Sequence, residues 1–288
     1  MAWTDAQQKL ARALYAATRK EARYAPMDYP VSVGNVLMRA FPRKYMPLVQ
    51  GRGVPASAVN AAALTVRDAL TDSNRFSGII PAGTGAPAIV TQRGALYCAK
   101  DTRAQMAEVL HYAPGSQTRA PGSLPFPLQT LHQKCMVLLK PTRDINLVTL
   151  DGTGAHVQAF FDRLQRVPEV RAALSALRYA DITQAIFSGS DYSAARGLGL
   201  GLMSNPDIDG LEIGSARSFE TTGDEPAMSM FRSGANVLVF GRDQDVLSHR
   251  LRIVSLHLIE PDRSGHWRAL TLRPDAAGDF VVAAETPL

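Results

Sequence analysis

Only two cysteines, Cys98 and Cys135, occur in this chain. Two thiols exclude a disulfide framework and a four-cysteine zinc site. No apolar run approaches the roughly 18 residues of a membrane-spanning helix, so no membrane insertion is expected. The first 25 residues contain neither an apolar signal core nor a cleavage site. A cytoplasmic protein is expected, or one delivered into a target cell without a cleavable signal peptide. The patterns G-x-x-x-x-G-K-[ST] and G-x-S-x-G are missing, which argues against a P-loop nucleotide hydrolase and an elbow-type serine hydrolase. H-E-x-x-H and C-x-x-C are also missing and the six histidines are scattered, so no metal is expected. His257 falls inside a strand-like run, where a hydrogen-bonded structural histidine is the expected role. The run Gly197-Leu-Gly-Leu-Gly201 lacks dinucleotide-fingerprint spacing and follows a helix, so it reads as a packing or helix-breaking feature.

What is present describes an ordinary globular chain. Of 288 residues, 46% are hydrophobic and 20% charged, enough to bury a full core. The net charge of +5 is concentrated: residues 1–50 hold eight basic and three acidic residues, and the remainder is neutral. A basic end attracts acidic proteins, lipid or nucleic acid. Nothing in it reads as a stacking platform, so nucleic acid is not an expected partner and a solvated basic helix is the plainer reading.

Apolar periodicity predicts helices at 4–23, 57–72, 102–112, 155–166, 168–179 and 181–203, the last broken near the glycine run. In the first, Leu10, Leu14 and Ala17 share a face and Thr4 caps it. Strands are predicted at 31–39, near Ile89, and at 95–99, 135–140, 145–150, 209–214, 235–241, 251–260, 267–272 and 279–285. Residues 114–130 hold four prolines and read as loop. Helices fill the first half and middle; strands with short connections, favouring antiparallel pairing, fill the last third. The class is α+β.

Four residues stand in an order that suggests chemistry. Arg75 lies in SNRFSG, Tyr97 in the strand ALYCAKD, Glu108 in the helix TRAQMAEVLHY, and Ser215 at the end of DGLEIGS. Arginine offers a planar fork for phosphate or ribose oxygens. A tyrosine ring suits a cationic pyridinium, a contact of about 0.5–2 kcal/mol. A carboxylate stabilises an oxocarbenium-like transition state, and a serine hydroxyl fixes an amide or ribose. Each has an ordinary explanation beside it: dipole compensation for Arg75, a satisfied core tyrosine for Tyr97, a solvated helix residue for Glu108, a turn cap for Ser215. Cys98 reads as core packing, not as a nucleophile.

The ordered set resembles the RES domain family, named for its arginine, glutamate and serine. The matching segments are Arg75-Phe76, Leu96-Tyr97-Cys98-Ala99, Glu108, Asp209-Gly210-Leu211, Ser215-Ala216-Arg217 and Asn236-Val237-Leu238-Val239-Phe240. Arg39 in VLMRAF matches the family's other arginine, and CMVLLK and INLVTL fall where the family has its central strand pair. The resemblance spans about residues 33–260. It implies an ADP-ribosyltransferase-like mixed or antiparallel sheet with surrounding helices, and NAD as substrate without a metal. It implies Glu108, Arg75 and Ser215 as catalytic residues, with Arg39, Arg75, Tyr97 and Ser215 holding NAD. A bacterial toxin or effector that cleaves the nicotinamide–ribose bond, as glycohydrolase or phosphorylase, is what the family suggests, with an antitoxin or immunity protein as partner. Two alternatives stay open: an ADP-ribosyltransferase that modifies a protein, and an inactive RES-like binding module. On this reading residues 1–30 are a basic helical extension, regulatory or structural rather than catalytic. Residues 31–262 form the RES-like catalytic domain, and 263–288 are strands packing on it.

Overall fold

The computed structural model describes residues 3–27, 30–46, 53–65, 76–83, 85–100, 131–150, 154–187, 192–214, 235–242 and 247–288. In chain order these contain α1 (Asp5–Glu21), β1 (Leu37–Pro42), α2 (Ala56–Ala63), β2 (Gly94–Ala99), β3 (Lys134–Pro141) and β4 (Leu147–Leu150). Then come α3 (Ala155–Gln165), α4 (Pro168–Ala176), α5 (Ile182–Phe187), α6 (Ser193–Met203), β5 (Gly210–Gly214), β6 (Ala235–Gly241), β7 (Leu251–Pro261), β8 (Trp267–Pro274) and β9 (Phe280–Pro287). The class is mixed α+β. The nine strands join in one sheet of order β4-β5-β6-β2-β1-β3-β7-β8-β9. Only β4 and β5 pair in parallel; every other neighbour is antiparallel.

Side-chain alternation sorts the sheet into two cores. On one face Val148, Leu150, Leu211, Ile213, Leu238 and Phe240 meet the helices. On the other face Leu37, Phe41, Val137, Leu139, Val237 and Val239 pack with α2 and the last strands. The helical layer is centred on α1. Thr4 starts it with a reciprocal cap: its backbone N–H donates to Gln7 Oε1 at 2.7 Å, and the Gln7 N–H donates to Thr4 Oγ1 at 3.3 Å. Leu10, Ala11, Leu14, Ala17 and Thr18 are then buried. This basic helix therefore belongs to that core. Its arginine Arg12 also turns inward, donating to the carbonyls of Pro81 (2.7 Å) and Pro87 (2.6 Å).

α6 lies against α1, and the glycine run explains how closely. A Cβ on Gly197 would collide with the Ala11 carbonyl, one on Gly199 with the Phe76 carbonyl, and one on Gly201 would sit 2.6 Å from Thr18 Cβ. The glycines stay inside the helix and serve packing; they do not break it. The predicted 181–203 helix is interrupted earlier. Tyr192 enters α6 in a left-handed conformation (φ 59°, ψ 11°) through which a right-handed helix cannot continue.

Other differences have local causes. The strand expected at 31–39 starts at Leu37, because the Ser32 backbone N–H and side chain both bond Asn35 Oδ1 and close a turn. Val31 makes only an isolated bridge to Ile145. The strands at 135–140 and 145–150 are not neighbours: β3 is central between β1 and β7, and β4 is at the sheet's far edge beside β5. α2 ends at Ala63; the rest of its predicted span, 66–72, and the helix predicted at 102–112 lie outside the described residues.

Candidate functional site

β2 carries Tyr97 and sets which way it faces. Ala95 and Tyr97 look toward the helical layer, Leu96 and Cys98 toward the second core. The half-buried Tyr97 accepts a hydrogen bond on its hydroxyl oxygen from the Phe76 backbone N–H, at 3.2 Å. Phe76 directly follows Arg75, so the tyrosine fixes the chain next to that arginine.

Arg39 arrives from β1. The register Met38↔Ala99 sets Arg39 beside Cys98, which puts its side chain on the face opposite the Tyr97 ring. It is buried and donates to two backbone carbonyls, Tyr97 (3.4 Å) and Thr65 (3.3 Å). Arg39 and Tyr97 thus meet at one stretch of sheet, from opposite faces. Thr65 and Phe76 flank the segment that contains Arg75.

Arg75, Glu108, Ser215 and Arg217 lie outside the described residues. The described residues that lead toward Glu108 and Ser215 share one end of the sheet. The Lys100 N–H donates to the Ala235 carbonyl at 3.0 Å, and Gly214 pairs with Ala235. Lys100 Nζ reaches across β6 to Glu212 at 2.5 Å. The last described residues before Glu108 and Ser215, Lys100 and Gly214, therefore stand one strand apart on either side of β6, near Met38 of β1.

Burial pushes the Cys98 thiol up to about 12, against the nearby Arg39 charge, and the Cys135 thiol also to about 12, against Arg43. Both stay protonated at neutral pH and serve packing. His257 is held from both sides: Nε2 lies 2.9 Å from Ser255 Oγ and Nδ1 3.2 Å from Thr271 Oγ1. Burial first, and then the Arg273 charge, lower its pKa and keep the ring neutral. Among the described residues no group of three or more histidine, cysteine or carboxylate side chains is placed to hold a metal ion. Among them, too, no helix is long and apolar enough to cross a membrane.

The Asp-Gly pair at the start of β5 works at the other end of the sheet. Asp209 is 4% exposed and takes a two-pronged contact from Arg143, 3.1 Å at each oxygen. It also takes Arg250 at 3.1 Å and the Asn146 N–H at 3.2 Å. Arg93 stands within reach of the same charges while donating to the carbonyls of Asn205 (2.9 Å) and Ile208 (2.7 Å). Burial lowers the pKa of Arg93, helped by Arg250 and opposed by Asp209. It lowers that of Arg250 too, opposed by Asp209 and helped by Arg143. A side chain on Gly210 would strike the Leu238 carbonyl. Both members of the motif thus have a fold-building task. The three arginines escaped sequence reading; their signal is position, since Arg93 and Arg250 each precede a strand and Arg143 sits in the β3–β4 turn. Asp209→Asn should lower unfolding free energy by about 3 kcal/mol, the low end for a broken buried pair because Arg143 is half exposed. Urea denaturation would show it as a lower midpoint at unchanged slope, and an unmoved midpoint would refute it.

No family model matches this chain, and neither a curated protein nor a solved structure matches it.

Proposed function

We propose that this chain is a RES-type, NAD-consuming toxin or effector with an ADP-ribosyltransferase-like core. The reading rests on its own residues. The observation that carries it is the link between two of the family-like positions: the Tyr97 hydroxyl holds the N–H of Phe76, the residue after Arg75. In support, the segments LYCA, NVLVF and DGL lie on adjacent strands, β2, β6 and β5. The chain also runs toward Glu108 and Ser215 from one sheet end.

In this reading Arg75 grips the diphosphate and Tyr97 offers its ring to the pyridinium. Arg39, which the resemblance gives as holding NAD, lies on the sheet face opposite the Tyr97 ring, so here it is a positioning residue that ties Thr65 to the Tyr97 backbone. The bond between nicotinamide nitrogen and ribose C1′ breaks, and nicotinamide leaves neutral with the electron pair. Glu108 stabilises the oxocarbenium, and Ser215 orients the nicotinamide amide or ribose. Water or phosphate captures C1′; captured water releases its extra proton to solvent. An antitoxin or immunity protein restrains the enzyme.

Induced expression should deplete cellular NAD and slow growth. Glu108→Ala should cut turnover about 10²–10³-fold and spare both, as expected for a lost electrostatic stabiliser. Unchanged NAD with labelled protein bands from tagged NAD would shift the reading to a protein-modifying transferase. Unchanged NAD without labelling would refute enzymatic use of NAD.

A further inference from the structure

The C-terminal ends of α1 and α3 lie side by side and gather cations around an aromatic ring. Arg163 places its guanidinium 4.2 Å from the Tyr24 ring centroid, and Arg23 lies 4.7 Å from it. Arg19 and Lys20 fill the last turn of α1, and Arg166 caps α3. Part of this charge offsets the two helix dipoles. Among the described residues two carboxylates stand next to these cations in the chain. Glu21 meets Arg163 only at 4.0 Å, and Asp162 accepts from Gln158. Among the described residues no carboxylate pairs with Arg19, Lys20, Arg23 or Arg166. Beside these cations Tyr24 is 43% exposed, and Met27, three residues further along the chain, is 47% exposed, two of the few large apolar groups left in water.

From this arrangement we infer that the α1–α3 corner is a docking surface for an acidic protein segment that carries an apolar side chain. Exposed Tyr24 and Met27 supply the apolar centre, and the arginines and lysine supply a rim of one sign. That is the anatomy of a protein interface with electrostatic steering. A single-stranded nucleic acid fits less well, because successive bases need several aromatic rings to stack on and Tyr24 stands here as a single ring. A membrane surface would ask for a continuous apolar face, and α1 turns its apolar face into the core. The inference does not depend on NAD chemistry, and its failure would leave the proposed activity standing.

Fluorescence anisotropy with the full chain tests it. The probe is a labelled peptide of Glu and Asp carrying one Phe and one Leu, run beside an oligothymidine and vesicles one-third phosphatidylglycerol. At about 50 mM salt the peptide should bind, and at about 300 mM, where screening is stronger, it should bind far more weakly. Lys20→Glu with Arg166→Glu should weaken it about tenfold, as loss of rim charge does. Tyr24→Ala, or Met27→Ala should the first variant melt early, should weaken it about fivefold through the lost apolar anchor. Peptide affinity unchanged in the charge-reversed protein overturns the inference. So does a loss confined to the charge variant, which would mean undirected attraction, and so does tighter binding of the oligonucleotide or the vesicles.

Discussion

Deleting residues 1–25 should abolish cooperative folding. α1 is basic, and charge alone would make it an appendage, but its cations and its apolar residues occupy different faces. Leu10, Ala11 and Leu14 are completely buried and Ala17 nearly so, all against α6 and the other helices. Cutting one such leucine to alanine costs about 2–5 kcal/mol, and a whole domain is stable by only about 5–15 kcal/mol. Removing both leucines, the capped helix around them and the Arg12 contacts to Pro81 and Pro87 exceeds that margin. The truncated chain should give no cooperative thermal transition and should bind a dye for exposed apolar surface. A Leu10→Ala, Leu14→Ala double variant in the full-length chain should lose about 4–10 kcal/mol at unchanged length, which separates lost packing from lost chain. Should the truncated protein melt cooperatively near the full-length temperature, α1 is no part of the core. The proposed enzyme would then tolerate its loss.

The same helix shows what the sequence could and could not say. Periodicity marked Leu10, Leu14 and Ala17 as one face, because a 3.6-residue repeat is written locally. What that face packs against is not local: the partner α6 lies nearly two hundred residues away in the chain. The strands of the last third were legible for a like reason, since alternation and short connections are local and give the antiparallel run β7-β8-β9. β4 was legible as a strand but not as the sheet's edge, since a parallel pairing with β5 leaves no mark in either segment. The site divides in the same way. Tyr97 stood out as a strand residue, and so did Arg39. That they approach from opposite faces follows from the register Met38↔Ala99, and one step of register would reverse it. Asp209 stood out as half of a motif, while its partners Arg143 and Arg250 and the neighbouring Arg93 are scattered in sequence and gather only where strand ends converge.

Gly199→Ala should destabilise the protein, and the sign is the informative part. In an exposed helix the same change stabilises by up to about 1 kcal/mol, because alanine is the better helix former. Here the added Cβ would meet the Phe76 carbonyl closer than the 3.0 Å that Cβ atoms keep, and that atom is backbone. It cannot rotate aside as a side-chain tip would, so α6 or the Phe76 segment must shift. We expect Gly199→Ala to cost about 3 kcal/mol and Gly199→Val more than about 4 kcal/mol, beyond the usual range for overpacking. Gly201→Ala should cost less, since its nearest contact, Thr18 Cβ at 2.6 Å, overlaps less deeply than the approach to the Phe76 carbonyl at Gly199. The ordering Gly199→Val, Gly199→Ala, Gly201→Ala in falling cost can be read from urea midpoints. The cost should also reach the proposed site. The Phe76 backbone that must move is the one whose N–H meets the Tyr97 hydroxyl, so Gly199→Ala should perturb the tyrosine's environment before the fold is lost. A neutral or stabilising Gly199→Ala would mean that α6 stands farther from Phe76. The contact that joins the helical layer to the candidate site would then be absent.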